Sequence, residues 1–596
     1  MPIEATPAAP LLPSRTFDHE RVANEIKHWV RLTAACNSKC VFCLDAEAQD
    51  GRFMPFEDIQ TEIRRGREEK DATRLVVSGG EGSIHPRFHD AIRYGKEAGY
   101  RWVQTVTNGQ KLADRAFFHA AMDAGLDEIT FSLHGHTPAL HDRLTRTKNG
   151  FDNLMKAMMR AVRDGRCVVN VDVCINKQNV EHLEAIVALC ARVGVKEFDL
   201  LHVIPQGVAW DNRADLFYDP EEHRDALRRV FRLSRSSQFH IWTNRFPVSH
   251  LEDMEELIQD PHKMLDEVGG RRTQFRRYLD EGTAIDCRDK ERCPHCFIEP
   301  FCSALDKHVA DHTAARFDVW WVGDPTLLGR GASPPQRPPD PAALPGGARL
   351  LGVSSIPADP HGPLYLRADR YTPDGSLVSL AAGSRIVATL PEHLGPLLHI
   401  PLLHAGVEVE VHLDLEMCAA LQALPSIPST WILHAPTRAT AELSATLDPD
   451  WRAFFGALPA GTRAQNLPAC LAPGAHLERP LRILDASLFH DDGRRAIEPF
   501  VDRHIEQTYR VKSSRCRACP ADNVCEGAHI QSIRAHGFRQ LVPLTGDTAE
   551  VVRRLEITDV SPRLRDGAPP LPASPRVPVP GNEPVPFIDL HAGRRS

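Results

Sequence analysis

The sequence predicts an α/β protein: a partial (β/α)6 TIM-like barrel with a cysteine-rich segment after it, followed by a C-terminal α+β domain that is also cysteine-rich. Short apolar runs alternate with helical patterns between about residues 25 and 240. Stretches dense in proline and glycine separate later parts of the chain, and cysteines are concentrated in short windows. Strands that alternate with helices form parallel sheets, and right-handed crossovers curl such a sheet towards a barrel.

Six apolar runs are predicted strands, and helical patterns lie between them. The predicted strands are Trp29–Ala35, Arg74–Ser78, Trp102–Thr107, Glu128–Leu133, Val168–Ile175 and Glu197–Ile204. One helix begins near Phe56, where Ile59 and Ile63 repeat the same apolar face. Another begins near Val180 and continues this spacing to Val193.

The clustering of the 47 prolines marks the expected boundaries between domains. The predicted organisation is a disordered N-terminus (1–20), a barrel (21–240), a helical and cysteine-rich segment (241–322), a proline- and glycine-rich linker (323–348), a C-terminal domain (349–560) and a disordered proline-rich tail (561–596).

Composition excludes several classes of protein. The 596 residues are 42% hydrophobic and 25% charged, which is ordinary globular usage. A net charge of −8 argues against the broad basic surface of a dedicated nucleic-acid binder. The sequence contains no run of 18 apolar residues, so no membrane span is predicted. The first residues lack the pattern of a secretory signal. We therefore expect a cytoplasmic protein with no membrane partner.

Ten of the 15 cysteines lie in three windows, over residues 36–43, 287–302 and 516–525. An odd number of cysteines in a chain with no export signal argues against a disulfide framework. Clustered thiols instead indicate metal ligands, because one ion or cluster must be reached by several thiolates at once.

The first window, Cys36-Asn-Ser-Lys-Cys40-Val-Phe-Cys43, directly follows the first predicted strand. Three thiolates can hold three irons of a [4Fe–4S] cluster, which leaves the fourth iron open to a substrate. The alternative is a zinc knuckle completed by a distant histidine, although zinc sites favour paired Cys-x2-Cys units.

This Cys-x3-Cys-x2-Cys motif, with Phe42 before its last cysteine, resembles the hallmark of the radical S-adenosylmethionine (radical SAM) superfamily. Ser78-Gly79-Gly80-Glu81 is similar to the segment that receives the methionyl amine of SAM in that family, although Gly82 stands where the family usually has proline. The resemblance covers about residues 25–240. It implies a [4Fe–4S] cluster that chelates SAM, reductive cleavage of SAM to a 5′-deoxyadenosyl radical, and an electron donor such as a flavodoxin or ferredoxin.

The resemblance also implies a set of SAM contacts near the carboxyl ends of the predicted strands, where barrel enzymes carry their chemistry. The implied contacts are Phe42, Gly79, Gly80, Glu81, Ser132, Arg143, Asn176 and Ile204. The resemblance implies that Ser132 contacts SAM, that Arg143 pairs with its carboxylate, that Asn176 bonds a ribose hydroxyl and that the Ile204 backbone borders the adenine. Taken singly, Ser132 also fits a capped strand end and Arg143 a surface arginine. We interpret His85 and His134 as local structural residues.

The second and third windows share a Cys-x2-Cys-x5-Cys repeat with an arginine before it. They read Cys287-x5-Cys293-x2-Cys296-x5-Cys302 and Cys516-x2-Cys519-x5-Cys525. The repeat is similar to the auxiliary-cluster extensions, of SPASM or twitch type, of radical SAM peptide maturases. Two auxiliary iron–sulfur clusters are therefore expected, and zinc stays open because Cys-x2-Cys fits both.

The third window supplies three ligands and needs a fourth, for which we choose Cys470. It lies between Pro468 and Pro473, which suits a rigid exposed turn. Cys418 and His529 are the alternative ligands, and a buried structural thiol is the alternative role for Cys470.

The leading hypothesis is a radical SAM enzyme that acts on a peptide or a peptide-derived substrate. A second hypothesis keeps the radical chemistry but acts on a small metabolite or RNA, although the acidic charge gives no support for RNA. A third is a non-catalytic iron–sulfur or zinc protein that binds a partner.

Overall fold

The computed structural model describes residues 26–44, 49–313, 365–367, 385–398, 406–478, 488 and 496–546. The expected N-terminal tail (1–20), linker (323–348) and C-terminal tail (561–596) lie outside these residues. The described residues fall into two compact units. The first, called the barrel unit, holds residues 26–270 and 285–299, and the second unit holds the remainder.

The barrel unit is built on a seven-stranded parallel sheet whose strands follow one another in sequence order. Its strands are β1 (Lys27–Arg31), β2 (Arg74–Ser78), β3 (Trp102–Thr107), β4 (Glu128–Ser132), β5 (Val168–Ile175), β6 (Glu197–His202) and β7 (His240–Asn244). Its α-helices are α1 (Phe56–Glu68), α2 (Phe88–Glu97), α3 (Arg115–Asp123), α4 (Pro138–Thr145), α5 (Gly150–Asp164), α6 (Leu183–Val193), α7 (Val208–Asp211), α8 (Arg213–Leu216), α9 (Arg224–Phe231) and α10 (Met264–Gly270).

The helices bury their apolar faces as the sequence spacing predicts. Ile59 and Ile63 of α1 have no exposed surface, and neither have Leu183, Ile186 and Cys190 of α6. The parallel α/β fold expected from the sequence is confirmed, and β7 adds a seventh strand to the six predicted.

The end of β1 differs from the prediction in a way that shapes the site. The sequence predicts a strand to Ala35, but pairing with β2 ends at Arg31. Beyond it, the Ala34 N–H donates to Arg52 O at 2.9 Å, and Thr33 forms an isolated bridge with Phe53. The chain therefore leaves the sheet early and starts the loop that carries the first three cysteines.

The second unit contains a six-stranded parallel sheet in the order β13-β12-β11-β10-β9-β8. Its strands are β8 (Tyr365–Arg367), β9 (Arg385–Ala388), β10 (Glu408–His412), β11 (Trp431–His434), β12 (Arg463–Gln465) and β13 (His476–Glu478), and a separate antiparallel pair joins β14 (Arg510–Val511) to β15 (Ala528–His529). Its α-helices are α11 (Arg272–Glu281), α12 (Glu299–Thr313, with Glu299 in the barrel unit), α13 (Leu394–Leu397), α14 (Leu415–Gln422), α15 (Ala441–Leu447), α16 (Trp451–Gly456), α17 (Ile497–Arg503) and α18 (Ile530–His536).

The sequence predicts strands and helices in this region but not their parallel order. The core of the sheet is continuous apolar surface: Val409 and Val411 of β10 and Trp431, Ile432 and Leu433 of β11 have no exposed surface. Runs buried on both faces are typical of parallel sheets. Across the described residues of both units, no helix is long and apolar enough to cross a membrane.

Candidate functional site

The carboxyl edge of the barrel sheet gathers the residues singled out in the sequence. All carboxyl ends of a parallel sheet meet at one edge, so the loops after β1 to β6 lie together there. Residues 32–44, called the cysteine loop, follow β1 and carry Cys36, Cys40 and Cys43.

The Gly-Gly-Glu segment holds the start of the cysteine loop. The Gly80 N–H donates to Thr33 O and the Glu81 N–H to Ala35 O, both at 2.8 Å. A Cβ atom on Gly80 would lie 2.3 Å from the oxygen of Ala35, and one on Gly79 would lie 2.6 Å from that of Thr33. Only glycine permits this approach of two backbones, so the motif positions the loop that carries the thiols.

Contacts from other strand ends fix the rest of the loop. The N–H groups of Lys39 and Val41 donate to carbonyls at the end of α4, at 3.0 and 2.9 Å. The Asn108 amide donates to Asn37 Oδ1 at 2.7 Å, and Asn212 Nδ2 donates to Val41 O at 2.9 Å. Segments that follow β3, β4 and β6 therefore hold one short loop in place.

Glu81 is buried and accepts several hydrogen bonds. Its Oε1 accepts from the Ser83 N–H at 3.1 Å, from Ser83 Oγ at 2.5 Å and from Thr107 Oγ1 at 2.7 Å. Its Oε2 accepts from the Asn108 N–H at 2.7 Å. The carboxylate thus ties the end of β2 to the end of β3, a role that the sequence pattern did not reveal.

The three thiols of the cysteine loop lie within eight residues of sequence, and a turn in which the Cys43 N–H donates to Cys40 O at 3.2 Å joins the last two. Burial, followed by the charges of Cys36 and Cys43, raises the pKa of Cys40. Burial also raises the pKa of Cys36 to about 11. The Ser38 N–H donates to the sulfur of Cys36 and Gln49 Nε2 to that of Cys43, both at 3.3 Å. Three thiols, two of which accept hydrogen bonds at sulfur, fit an iron–sulfur cluster, whose positive irons would supply the charge that deprotonates them.

The other implied SAM contacts lie in different surroundings. The Phe42 ring meets His134 edge to face at 4.7 Å, and Ile204 is buried. Arg143 is exposed and donates through Nε to Gln178 Oε1 at 2.9 Å. Asn176 is fully buried, and its amide donates to Cys174 O at 3.0 Å. A ribose contact would require Asn176 to exchange a partner, whereas the exposed Arg143 can turn to a ligand.

The two histidines have local partners, as the sequence interpretation expects. His85 Nε2 lies 3.0 Å from Met54 O. His134 Nδ1 accepts from the Cys174 N–H at 3.2 Å, and burial lowers the pKa of His134 well below its ordinary value. His134 is therefore neutral at physiological pH.

Polar side chains lie side by side on three neighbouring strands of the barrel sheet. The strand register places Ser132 of β4 beside Asp172 of β5, and Asp172 beside Asp199 of β6. Desolvation raises the pKa of Asp172 to about 7; the Ser132 hydrogen bond lowers it and the Asp199 charge raises it. Desolvation raises the pKa of Asp199 as well. A carboxyl group with a pKa near 7 can exchange protons at physiological pH.

The sequence carried a signal for this row. In β5, half-buried Asn170, Asp172 and Cys174 alternate with buried Val169, Val171 and Val173. Parallel strands that are covered on both faces read as continuous apolar runs. A polar residue at every second position therefore indicates that one face lines a cavity.

The second window has three of its cysteines in the barrel unit and one in the second unit. Cys293 and Cys296 are joined by a turn in which the Cys296 N–H donates to Cys293 O at 3.0 Å. Burial is the largest of the influences that raise the pKa of Cys293, and the Cys296 charge contributes. Cys287 precedes this turn and is half-buried, and Cys302 lies in α12 within the second unit.

The third window lies beside Cys470, which follows β12 in the second unit. Burial raises the pKa of Cys470 to about 12, and the charges of Cys525, Cys516 and Cys519 add to the effect. The charges of the third window thus act on the Cys470 thiol although 45 residues separate Cys470 from Cys516.

The alternative ligands have different surroundings. Cys418 is buried in α14, where the charges that act on its thiol are those of Asp414, Arg438 and Asp448. His529 Nε2 lies 3.0 Å from Ile505 O. Both residues have local environments that account for them.

Donors and positive charges surround the third window. The N–H groups of Gly527 and Leu544 donate to the sulfurs of Cys525 and Cys519, at 3.3 and 3.4 Å. The charge of Lys512 lowers the pKa of both Cys516 and Cys525 against the effect of burial. Such contacts stabilise the negative charge of thiolates that bind a cluster.

Comparison with known proteins identifies the first part of the chain. Residues 30–190 match the family model described as the radical SAM superfamily. The chain carries a radical SAM domain. This match covers β1 to β5 and the whole cysteine loop.

Curated relatives of the radical SAM domain are named as enzymes. A probable GTP 3′,8-cyclase of Saccharolobus islandicus is 29% identical over 180 residues, which cover 30% of this chain and 57% of the relative. A PqqA peptide cyclase of Ruegeria pomeroyi is 26% identical over 272 residues, which cover 45% of this chain and 69% of the relative. The chain thus spans little more than half the length of the cyclases first matched.

Parts of the chain also match solved structures. The structure of Streptococcus suis SuiB bound to the precursor peptide SuiA has a TM-score of 0.33 and 17% sequence identity, and the match covers 41% of this chain and 55% of SuiB. A structure of anSMEcpe with bound AdoMet has a TM-score of 0.31 and 14% identity, and covers 36% of this chain and 64% of that protein.

Proposed function

We propose that the protein is a radical SAM enzyme that cleaves SAM reductively and removes a hydrogen atom from a peptide or peptide-derived substrate. The observation that carries this proposal is the cysteine loop, whose three thiols are held against Gly79–Glu81 at the carboxyl edge of a parallel sheet. The donor set fits a [4Fe–4S] cluster with one open iron, since three thiolates serve three irons.

Each residue of this edge has a definite task in the proposal. Cys36, Cys40 and Cys43 ligate the cluster, which when bound supplies the electron that cleaves SAM. The glycines let the backbone of the cysteine loop approach the end of β2, which positions the thiols. Glu81 receives the methionyl amine on Oε2, which accepts one hydrogen bond within the described residues and retains a lone pair. Arg143 is exposed and can turn towards the SAM carboxylate as a charge-assisted pair.

The polar row on the sheet supplies acid–base chemistry in the same proposal. Burial raises the pKa of Asp172 to about 7, so its carboxyl group would be able to exchange a proton with a substrate group that reaches it. The Ser132 side chain forms a hydrogen bond with this carboxyl group and thereby positions Asp172. The backbone near buried Ile204 and the ring of Phe42 would border bound SAM and help to exclude water from it.

The second and third windows would hold auxiliary iron–sulfur clusters. Cys470, Cys516, Cys519 and Cys525 form a set of four thiols that suits a cluster held by protein alone. For the second window, the sequence pattern alone predicts Cys287, Cys293, Cys296 and Cys302 as ligands. We also propose a flavodoxin or ferredoxin as electron donor and a cytoplasmic location.

A peptide substrate is supported by the length of the match to the peptide cyclase. That similarity extends over 272 residues, whereas the GTP cyclase similarity extends over 180. The match to the peptide cyclase is therefore longer than the segment 30–190 that matches the radical SAM family model. A nucleotide is the second candidate substrate, because the GTP cyclases share the slightly higher identity of 29%.

Photocrosslinking from the polar face of the sheet separates these substrates. Trp242 of β7 lies beside Asp199 in the strand register, so p-benzoylphenylalanine at position 242 would report on whatever enters the barrel. Exposed Met159 of α5 is the control position. In lysate of the native host, position 242 should capture a peptide and position 159 should not. Capture of a nucleotide, or turnover of GTP without any peptide, would contradict the peptide proposal.

A further inference from the structure

A cluster of three potential metal ligands lies in the second sheet, apart from every cysteine window. Glu410 and His412 belong to β10, and His434 is the last residue of β11. The parallel register places His412 beside His434. Because side chains alternate along a strand, Glu410 and His412 project from the same face. The three side chains therefore meet at the carboxyl edge of the sheet.

The distances in this cluster suit a single ion. Glu410 Oε1 lies 2.8 Å from His412 Nε2 and 3.8 Å from His434 Nδ1. The two rings stack with centroids 4.5 Å apart, and all three ligand atoms lie within 4.8 Å of one another. Nitrogen and oxygen ligands about 2.0–2.2 Å from zinc are separated from each other by roughly 3–3.5 Å. The observed separations lie on both sides of that range, so small side-chain adjustments would complete a site.

Neighbouring side chains orient these ligands. Arg385 Nη1 donates to Glu410 Oε2 at 3.2 Å, which directs Oε1 towards the two histidines. Gln465 Nε2 lies 2.9 Å from His434 Nδ1, which accepts its hydrogen bond. A metal ion bound to this nitrogen would displace the Gln465 amide. The positive charge of Arg385 is shared with Glu408, which accepts from Arg385 Nε at 2.9 Å. The contact of Arg385 with the second oxygen of Glu410 is an outer contact of the kind found at metal sites.

We propose that Glu410, His412 and His434 bind one divalent transition-metal ion, with zinc as the preferred ion. Two histidines and one carboxylate are the ligand set of zinc sites that keep a position open for substrate or water. The location agrees, since open parallel sheets bind ligands outside the carboxyl ends of their strands.

Zinc binding to the full-length protein tests this proposal. The cysteine windows are first filled by anaerobic reconstitution with iron and sulfide, because free thiols also bind zinc. Calorimetry and elemental analysis should then find about one zinc per chain, bound without loss of iron. His412→Gln removes a ligand and should weaken zinc binding by at least about a hundredfold, the upper end of the loss caused by removing an outer-shell partner. His476→Gln, on β13 of the same sheet, is the matched control and should bind zinc like the wild type.

X-ray absorption at the zinc edge tests the ligand set without any variant. The proposal predicts nitrogen and oxygen neighbours at about 2.0–2.2 Å and no sulfur neighbour at about 2.3 Å. Zinc should also raise the Tm of the wild type and of His476→Gln but not that of His412→Gln, since a ligand stabilises the form that binds it. A sulfur shell, equal zinc binding in His412→Gln, or no zinc beyond the iron sites would overturn the proposal.

Discussion

Glu81 offers the sharpest test of how the barrel edge is assembled. Glu81→Ala removes the acceptor of the Ser83 and Asn108 N–H groups and of two hydroxyls. The hydroxyls can rotate to other partners, whereas the two backbone donors cannot. A buried donor left without a partner costs about 1–3 kcal/mol, so we expect a loss of about 4 kcal/mol. In a domain of this size, that corresponds to a fall in Tm of about 10 °C.

Differential scanning calorimetry of samples with equal iron content measures this loss. Glu81→Gln keeps one acceptor oxygen and should lose about half as much stability. Glu68→Ala, at an exposed position of α1, is the control and should change stability by less than about 0.5 kcal/mol. A Tm for Glu81→Ala within about 2 °C of the wild type would refute the hydrogen-bonding argument, and normal SAM affinity in that variant would refute the amine contact.

Further predictions concern the other sites. Cys470→Ala should lose about four of twelve irons on anaerobic reconstitution while Cys418→Ala keeps them, and equal iron in both would remove Cys470 from the cluster. Gly80→Ala should lower the iron bound by the cysteine loop, because its Cβ would meet Ala35 O at 2.3 Å, and an unchanged iron spectrum would count against that contact. For Asp172→Asn, the folded-state pKa near 7 lies above the unfolded value, so the Asp172 carboxyl stabilises the fold at low pH and this contribution is lost as pH rises through 7. The Tm of the wild type should therefore fall relative to Asp172→Asn between pH 5 and pH 8.5, and a difference that is constant with pH would show that Asp172 has an ordinary pKa.

Sequence patterns predicted the strands whose position depends on the apolar periodicity of their own residues. The strands Arg74–Ser78, Trp102–Thr107 and Val168–Ile175 agree with the prediction at both ends, because apolar periodicity and burial act along the same residues. β7 escaped prediction because only Ile241 and Thr243 of its five residues are buried, which leaves a weak pattern. The parallel order of the second sheet depends on pairing between distant strands, which no single strand records.

The candidate sites also combine features that are local in sequence with features that join distant residues. The cysteine loop is predictable because its three thiols are close in sequence as well as in space. The bonds of Glu81 to Thr107 and Asn108 join separate strand ends, so the motif alone does not reveal them. The register of Asp172 with Asp199 likewise becomes visible only when two strands are aligned.

Production of 5′-deoxyadenosine tests the central claim most directly. The reconstituted protein is incubated anaerobically with SAM and dithionite, and the nucleoside is measured by mass spectrometry. The wild type and Cys167→Ala, which changes a thiol outside the three windows, should both form it. The variant with Cys36, Cys40 and Cys43 all changed to Ala should form none above the enzyme-free background, although its other cysteine windows are intact. Formation of 5′-deoxyadenosine by that triple variant at a rate near that of the wild type would contradict the assignment of the cysteine loop as the site of SAM cleavage.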